Sequence, residues 1–331
     1  MSLALPPKTL LRRIELTDAP GLVELIREAG PGLATLPSSI GAIEQMVAES
    51  DADARPSFVL QRLDTGAVVG LSSIIAKLPD VAHTVTCKVW RDGPDVKLRP
   101  DAAFVGCSEM CTLFLTPGQR GGGNGRLLSL GRFFEVANHP ERFADRLIVE
   151  LRGVLDEEGV SPLWRAVCEH IFGISHIEAH RNLKDDPAYL ADRLTDDGWL
   201  DLSTIPAPLR DLLGRVHQNT EPARRLLLAE GFADTGYVDL LDAGPVMVCE
   251  RDQARLVRKS KVVEVREVVD TDAPRDFLIS TVEGPLRCCR GAIDPEGRIA
   301  APAAKALGAE PGTKVRFAPQ RPMQPTSQGE S

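Results

Sequence analysis

The densest chemical signal in the chain is the run Leu113-Phe114-Leu115-Thr116-Pro117-Gly118-Gln119-Arg120-Gly121-Gly122-Gly123-Asn124-Gly125-Arg126-Leu127-Leu128. An apolar strand runs into a glycine-dense turn and then directly into a helix. Glycine lets a backbone turn sharply and bring its N–H groups close to an anion. The first turn of the helix adds N–H donors that have no internal partner. Such a construction suits a pyrophosphate, although a tight surface turn would also need glycine. Two common phosphate patterns do not fit. GxGxxG would need glycine at 126, where Arg126 stands. GxxxxGK[ST] lacks its Lys-Ser or Lys-Thr pair.

Other residue types suited to chemistry flank this turn. His217 has an ordinary pKa near ~6.5 and can give or take a proton near neutral pH; a loop histidine bonded to backbone is the plainer reading. Glu109 precedes the turn on the same strand. Strict alternation places Glu109, Cys111, Leu113 and Leu115 on one face, where Glu109 could receive a proton or hold an ammonium group, or form an ion pair with Arg152. Arg120 and Arg126 could pair with phosphates. Asp239 and Asp242 could hold a guanidinium, although Asp242-Ala243-Gly244 also reads as a plain turn. The basic run Arg255, Arg258, Lys259, Lys261 reads as a solvated edge, with contact to a nucleotide phosphate as a weaker option. Cys111 as a nucleophile is the weakest of these readings, because a strand cysteine is usually core.

The elements that must carry these groups follow from the pattern. A strand and a helix are expected over 11–28, and a second amphipathic helix over 40–50. Two strands flank the hairpin signal Asp64-Thr65-Gly66, and another strand is expected at 84–90. Residues 91–103 read as polar and irregular. A strand over 104–115, a helix over 125–138 and a strand over 146–151 surround the glycine turn. A helix follows at 163–172 and a short one at 206–213. Residues 221–230 form a helix that stops at Gly231, with Asn219 or Thr220 before it as a cap, and strands are expected at 237–241 and 245–249. Short strands at 261–267, 276–282, 286–293 and 313–318 suggest a β-rich appendage. From 319 onward the composition predicts a disordered tail.

The 331 residues carry 39 Lys+Arg against 47 Asp+Glu, a formal net charge of −8. That balance disfavours a general nucleic-acid binder, whose affinity comes mainly from Lys and Arg on phosphates. No window approaches ~18 consecutive apolar residues, so no membrane span is expected. The N-terminus lacks a secretory pattern. The seven cysteines contain no CxxC pair, which points to reduced thiols and a cytoplasmic protein. No metal site is expected.

Arg120-x-x-Gly123-x-Gly125 matches the (Q/R)xxGx(G/A) pattern with which GNAT acyltransferases seat the pyrophosphate of coenzyme A. Longer blocks point further: Gly32-Leu33-Ala34-Thr35-Leu36-Pro37, Gly106-Cys107-Ser108-Glu109-Met110-Cys111-Thr112-Leu113, Gly123-Asn124-Gly125-Arg126-Leu127-Leu128-Ser129, Gly214-Arg215-Val216-His217 and Thr220-Glu221-Pro222-Ala223-Arg224. Together these resemble the arginine N-succinyltransferase family. The segments 81–103 and 178–206 depart from the family pattern. The resemblance implies an α+β fold of tandem GNAT-like acyl-CoA N-acyltransferase halves (1–145 and 146–255), a small C-terminal β-rich domain (256–318) and a tail (319–331). It implies succinyl transfer from succinyl-CoA to the α-amino group of L-arginine, with no permanently bound cofactor. It also implies catalysis by His217 as proton donor and an acyl-CoA contact at Leu113. Glu109 joins His217 as a catalytic candidate, with Arg120, Gly121, Gly123, Asn124, Gly125 and Arg126 on the CoA. A homo-oligomer or pairing with a related subunit is compatible with the family. The alternatives are transfer to ornithine or another amine, or a non-catalytic partner subunit.

Overall fold

The computed structural model describes residues 7–29, 39–79, 86–185, 189–190, 198–271, 273 and 276–322. The Gly32–Pro37 block lies outside the described residues, as do 323–331 of the expected tail. Sixteen strands are described: β1 (Thr9–Arg13), β2 (Ser57–Arg62), β3 (Val68–Ile75), β4 (Thr86–Asp92), β5 (Asp95–Pro100), β6 (Ser108–Leu115), β7 (Arg146–Glu150), β8 (Leu200–Asp201), β9 (Ala233–Asp239), β10 (Pro245–Glu250), β11 (Lys261–Glu264), β12 (Glu267–Val269), β13 (Phe277–Thr281), β14 (Arg287–Gly291), β15 (Arg298–Ala300) and β16 (Lys314–Pro319). Fourteen of them form one sheet in the order β11-β16-β13-β14-β1-β2-β3-β6-β7-β10-β9-β4-β5-β8. The fold is mixed α/β. The sheet runs unbroken through the three expected regions, with β1 joined to β14 and β6 to β7. Strands β4 and β5 pair with β9 and β8 at the far end.

The β6–β7 pair positions everything that follows. It is parallel, whereas the other neighbours in this sheet are antiparallel. It is made only at Ser108–Leu147 and Glu109–Ile148. Strand β6 continues to Leu115 against β3, but among the described residues its other edge has no strand partner beyond Glu109. The two strands therefore part toward their C-terminal ends and leave a wedge.

Helices cover both faces. Helices Ala19–Ala29 and Ile40–Asp51 pack on one side through Leu22, Leu25, Ile43 and Met46 against Val59, Leu71 and Phe114. The second of them starts where Ser39 accepts the Ala42 N–H, an ordinary N-cap. On the opposite side, Leu127, Leu128, Phe133 and Phe134 pack against Leu60, Met110 and Leu115. The helix expected over 125–138 is divided at Gly131 into Asn124–Leu130 and Arg132–Asn138. A Cβ on Gly131 would lie 2.8 Å from the Leu127 carbonyl oxygen and within reach of Leu11 and Cys288. Glycine is what lets this helix lie so close to β1 and β14.

Several expectations need correction. Residues 91–103 are not irregular: β4 and β5 form a hairpin around Gly93, with Trp90 opposite Lys97. The strand before the glycine turn starts at Ser108, because 102–107 are taken up by tight backbone turns. Strand β15 and the helix Ala301–Leu307 were not foreseen. Pro319 still belongs to β16, and Gln320 is buried with its N–H on the Asp276 carbonyl. The chain is thus ordered past the expected start of the tail.

Candidate active site

The wedge gathers the predicted groups on its two arms. Glu109 sits at the foot, in the last register position that β6 shares with β7. Leu113 lies farther along β6 and is 36% exposed. The expected common face of Glu109, Cys111, Leu113 and Leu115 does not exist. A bulge between Leu71 and Ser73 gives β6 one extra residue. As a result Met110 and Leu115, five positions apart, enter the same core cluster, while Phe114 packs on the opposite side. Strict alternation forbids that and a bulge requires it.

The residue at the bulge is Thr112, with φ +53°. This is the left-handed region, disfavoured for a β-branched side chain. Two arginines brace it. The Arg55 guanidinium donates to Thr112 Oγ1 at 2.7 Å. Arg132, buried on the helix after the glycine turn, donates to the carbonyls of Ser129, Ser73 and Cys111. Burial pushes the Arg132 pKa down to about 10, against the opposing pull of Cys111 and Glu109. Arg132 is thus a cation in the field of Glu109. Burial also raises the Cys111 thiol, with Glu109 adding to the shift. A thiol held protonated is a poor nucleophile.

At the end of β6 the turn takes an unusual path. Gly121, Gly122 and Gly123 have φ of +89°, +57° and +90° in succession. Among the described residues, no backbone carbonyl takes up the N–H groups of Gly121, Gly122, Gly123, Gly125 or Arg126. Successive open N–H groups of this kind form a concavity that favours anions. The Asn124 side chain holds the turn's shape, donating to the Gln119 carbonyl and accepting from Thr9 Oγ1, both at 3.0 Å. Arg120 is exposed. Arg126 donates to the Gln320 carbonyl at 3.0 Å, and its pKa is lowered by burial and then by Arg321 and Arg255.

Sequence reasoning missed Arg290. From β14, its guanidinium donates to the Gly122 carbonyl and to Gln320 Oε1. No local pattern marks it, because the contact joins positions far apart in the chain. Of the basic run after 254, Arg255 pairs with buried Glu230 at 2.6 Å and donates to the Pro319 carbonyl.

The other arm of the wedge carries His217. Past β7, the chain reaches Arg152 and Gly153. The His217 N–H donates to the Arg152 carbonyl at 2.9 Å, and Val216 bridges Gly153. The His217 carbonyl accepts from Thr220 and Glu221 and so starts the helix Glu221–Glu230. Thr220 occupies the N-cap position but makes no side-chain cap bond. His217 Nδ1 accepts the Asn219 N–H at 3.1 Å. In the neutral ring the proton then lies on Nε2, the usual way a second contact selects a tautomer. Burial and then Arg152 lower the His217 pKa, so the neutral form prevails at pH 7.

Asp239 and Asp242 are committed to structure rather than to a guanidinium. Asp242 accepts from the N–H groups of Gly153 (2.9 Å) and Gly244 (2.8 Å), and Asp239 accepts from Leu241 (2.5 Å). Burial raises Asp242 to about 6. Asp242 therefore fixes Gly153, which in turn fixes the strand segment leading into His217. Among the described residues there is no His, Cys, Asp and Glu cluster that could hold a metal ion, and no helix long and apolar enough to cross a membrane.

Comparisons with known proteins show the family. Residues 9–256 match the family model described as arginine N-succinyltransferase beta subunit. The arginine N-succinyltransferase subunit beta of Pseudomonas aeruginosa is 32% identical, covering 94% of this chain and 98% of that protein. An arginine N-succinyltransferase of Escherichia fergusonii is also 32% identical, over 78% of this chain and 80% of its own length. The solved arginine/ornithine succinyltransferase subunit AI from Pseudomonas aeruginosa shares the fold, with a TM-score of 0.80, 24% identity, and coverage of 95% of this chain and 99% of that one. A match of this extent, running through β6, the glycine turn and His217, makes the chain a member of the arginine N-succinyltransferase family of acyltransferases.

Proposed function

We propose that the protein transfers the succinyl group of succinyl-CoA to the α-amino group of L-arginine. The observation that carries this reading is the wedge between β6 and β7. One arm ends in an open, triply left-handed glycine turn and the other ends in a histidine whose Nε2 is its free donor. In this reading the pyrophosphate lies on the N–H groups of Gly121, Gly123 and Gly125, with Asn124 holding the turn and Arg120 and Arg126 beside it. The pantetheine arm runs down the wedge past Leu113. The reaction joins the amine nitrogen to the thioester carbonyl carbon and breaks the C–S bond. Glu109 at the foot of the wedge takes the proton that the ammonium must lose. His217 Nε2–H donates a hydrogen bond to the departing CoA sulfur, and the second proton of the amine nitrogen leaves with that sulfur as the CoA thiol. Open backbone N–H groups along β6 stabilise the tetrahedral oxyanion. Succinyl-CoA is a co-substrate, released as CoA on each turnover. The flanks β1-β2-β3-β6 and β7-β10-β9 fall in residues 1–145 and 146–255, which supports the tandem-half reading, while β4 and β5 from the first of these ranges extend the second flank.

The test is thiol release from succinyl-CoA with and without L-arginine. Arginine-dependent release supports the proposal. Release with L-ornithine and none with L-arginine replaces the amine; the structurally similar Pseudomonas aeruginosa subunit belongs to an arginine/ornithine succinyltransferase, which makes ornithine the second amine to try. Absence of release with any basic amino acid, together with intact CoA binding, assigns the chain to a non-catalytic role that requires a related subunit.

A further inference from the structure

We propose that the cleft between the glycine turn and the C-terminal β region binds the 3′-phosphate of the CoA adenosine, so that this region is part of the cofactor-side binding surface; the proposal rests on the acyl-CoA reading above. The cleft has a volume of about 1090 Å³, which is large enough for a ligand-sized group. One wall is the glycine turn itself, through Gln119, Gly122 and Asn124. The opposite wall brings Arg287 and Arg290 from β14 and Lys305 from the helix Ala301–Leu307, and Lys8 and Arg62 close the side.

The charge of this cleft is opposite to that of the protein. Five cationic side chains and one carboxylate, Asp64, line it, in a chain of net charge −8. Asp64 is already held by Arg62. Among the described residues Lys8, Arg287 and Lys305 have no carboxylate partner. Arg287 donates one N–H to the Ala306 carbonyl at 2.8 Å, while its buried Nε has no acceptor. Arg290 stands where the cleft meets the turn, bonded to Gly122 and Gln320. Like charges gather this closely at an energetic cost, which a bound polyanion removes.

The chemistry of the occupant follows from the geometry. A ligand whose pyrophosphate lies on the open N–H groups of the glycine turn has one nucleotide on the cleft side of that turn. A plain adenosine diphosphate end would meet cations with no charge left to offer them. A ribose carrying a further phosphate supplies that charge, and the 3′-phosphate is what distinguishes CoA from its dephospho form. Arg255, Arg258 and Lys259 do not line this cleft.

The experiment measures binding of CoA and dephospho-CoA to the full chain by calorimetry. The same titrations are run on a Lys8→Ala/Lys305→Ala variant, both lysines being exposed and outside the proposed catalytic groups. The wild type is expected to prefer CoA by tenfold or more. The double variant should lose most of that preference while its affinity for dephospho-CoA stays within about twofold. Adenosine 3′,5′-bisphosphate should compete with CoA on the wild type and only weakly on the variant. Equal affinities for the two cofactors on the wild type, or a preference that survives in the variant, overturns the proposal and leaves the acyl-CoA reading standing. Failure of both cofactors to bind the wild type overturns that underlying reading, and the proposal with it.

Discussion

Gly123→Ala and Gly121→Ala form a matched pair that tests the turn as a phosphate seat. Both residues have nearly the same positive φ, +90° and +89°. Any L side chain there costs about 1–2 kcal/mol, so backbone strain is common to both variants. Their surroundings differ. A Cβ at 121 meets nothing within 4 Å, whereas a Cβ at 123 would lie 2.7 Å from Arg290 Cζ and 3.2 Å from its Nε. The alanine at 123 must displace Arg290 and break its bond to the Gly122 carbonyl. A hydrogen bond to a charged group is worth about 1.5–3 kcal/mol, and solvent at this site reduces that to roughly 1 kcal/mol. Gly123→Ala should therefore lie about 1 kcal/mol below Gly121→Ala in stability, a further fall of about 2 °C in Tm. The binding effect is larger, because a displaced Arg290 no longer faces the phosphates. Losing one charge-assisted contact of this kind raises the CoA Kd by roughly tenfold or more. Calorimetry and thermal unfolding on both variants give the answer. If Gly123→Ala folds with the expected Tm and binds CoA within twofold of the wild type, the pyrophosphate is not on this turn.

His217→Ala should lower kcat by about 10²–10³, the usual cost of removing one donor to a developing negative charge, and leave the CoA Kd unchanged; an unaffected kcat removes His217 from the mechanism. Because burial and Arg152 lower its pKa, protonation of His217 is harder in the folded protein than in the unfolded chain. The neutral ring persists below pH 6.5, and the stability linked to it is lost only as pH falls through and below that value. The stability difference between the wild type and His217→Ala, read by thermal unfolding, should accordingly shrink only as pH falls below 6.5, and a difference that already shrinks above pH 7 contradicts the shift. Asp242→Ala strands the N–H groups of Gly153 and Gly244, at about 1–3 kcal/mol each if they stay buried. It should also lower kcat more than it raises the KM for succinyl-CoA, since it loosens the segment that holds His217. Thr112→Gly removes a left-handed penalty of about 1 kcal/mol and a charged hydrogen bond of about 1.5–3 kcal/mol. Net destabilisation of roughly 1 kcal/mol is expected, and a raised Tm would show that Arg55 does not brace the bulge.

The parts of the site written in contiguous residues were legible. The strand, the glycine turn and the following helix depend on local signals, as does the helix that stops at Gly231, whose φ is +104°. The resemblance supplied His217 and Leu113, which no periodicity would have marked. The parts made by distant pairing were not legible. The strand at 84–90 was legible, but its hairpin partner β5 was hidden because Asp92, Asp95, Lys97 and Arg99 make the segment read as polar and irregular. The bulge at Thr112 leaves no trace in composition, so counting by twos placed Leu113 and Leu115 on the wrong face. Arg290 reaches the turn only because β14 pairs with β1, a contact that closes late in the chain.

The bulge explains why the wedge has the shape it does. A regular β6 would keep pairing beyond Glu109 and would carry Leu113 on the face of Glu109 and Cys111. The extra residue at Thr112 instead raises the local twist and turns Leu113 outward just where β7 has left. Strain at a non-glycine residue persists only where its surroundings hold it. Here the surroundings are two arginines, one bound to the Thr112 side chain and one to the carbonyls on either side of the bulge. Arg132 opens the second helix after the glycine turn, joined to the first across Gly131. The helix that begins at the proposed phosphate seat and the helix that locks the strand guiding the thioester are thus separated by one residue. Displacing the turn reaches Arg132, and through it the bulge, across that joint. The two binding features of this arm are mechanically one unit, and a variant that loosens either should be felt at both.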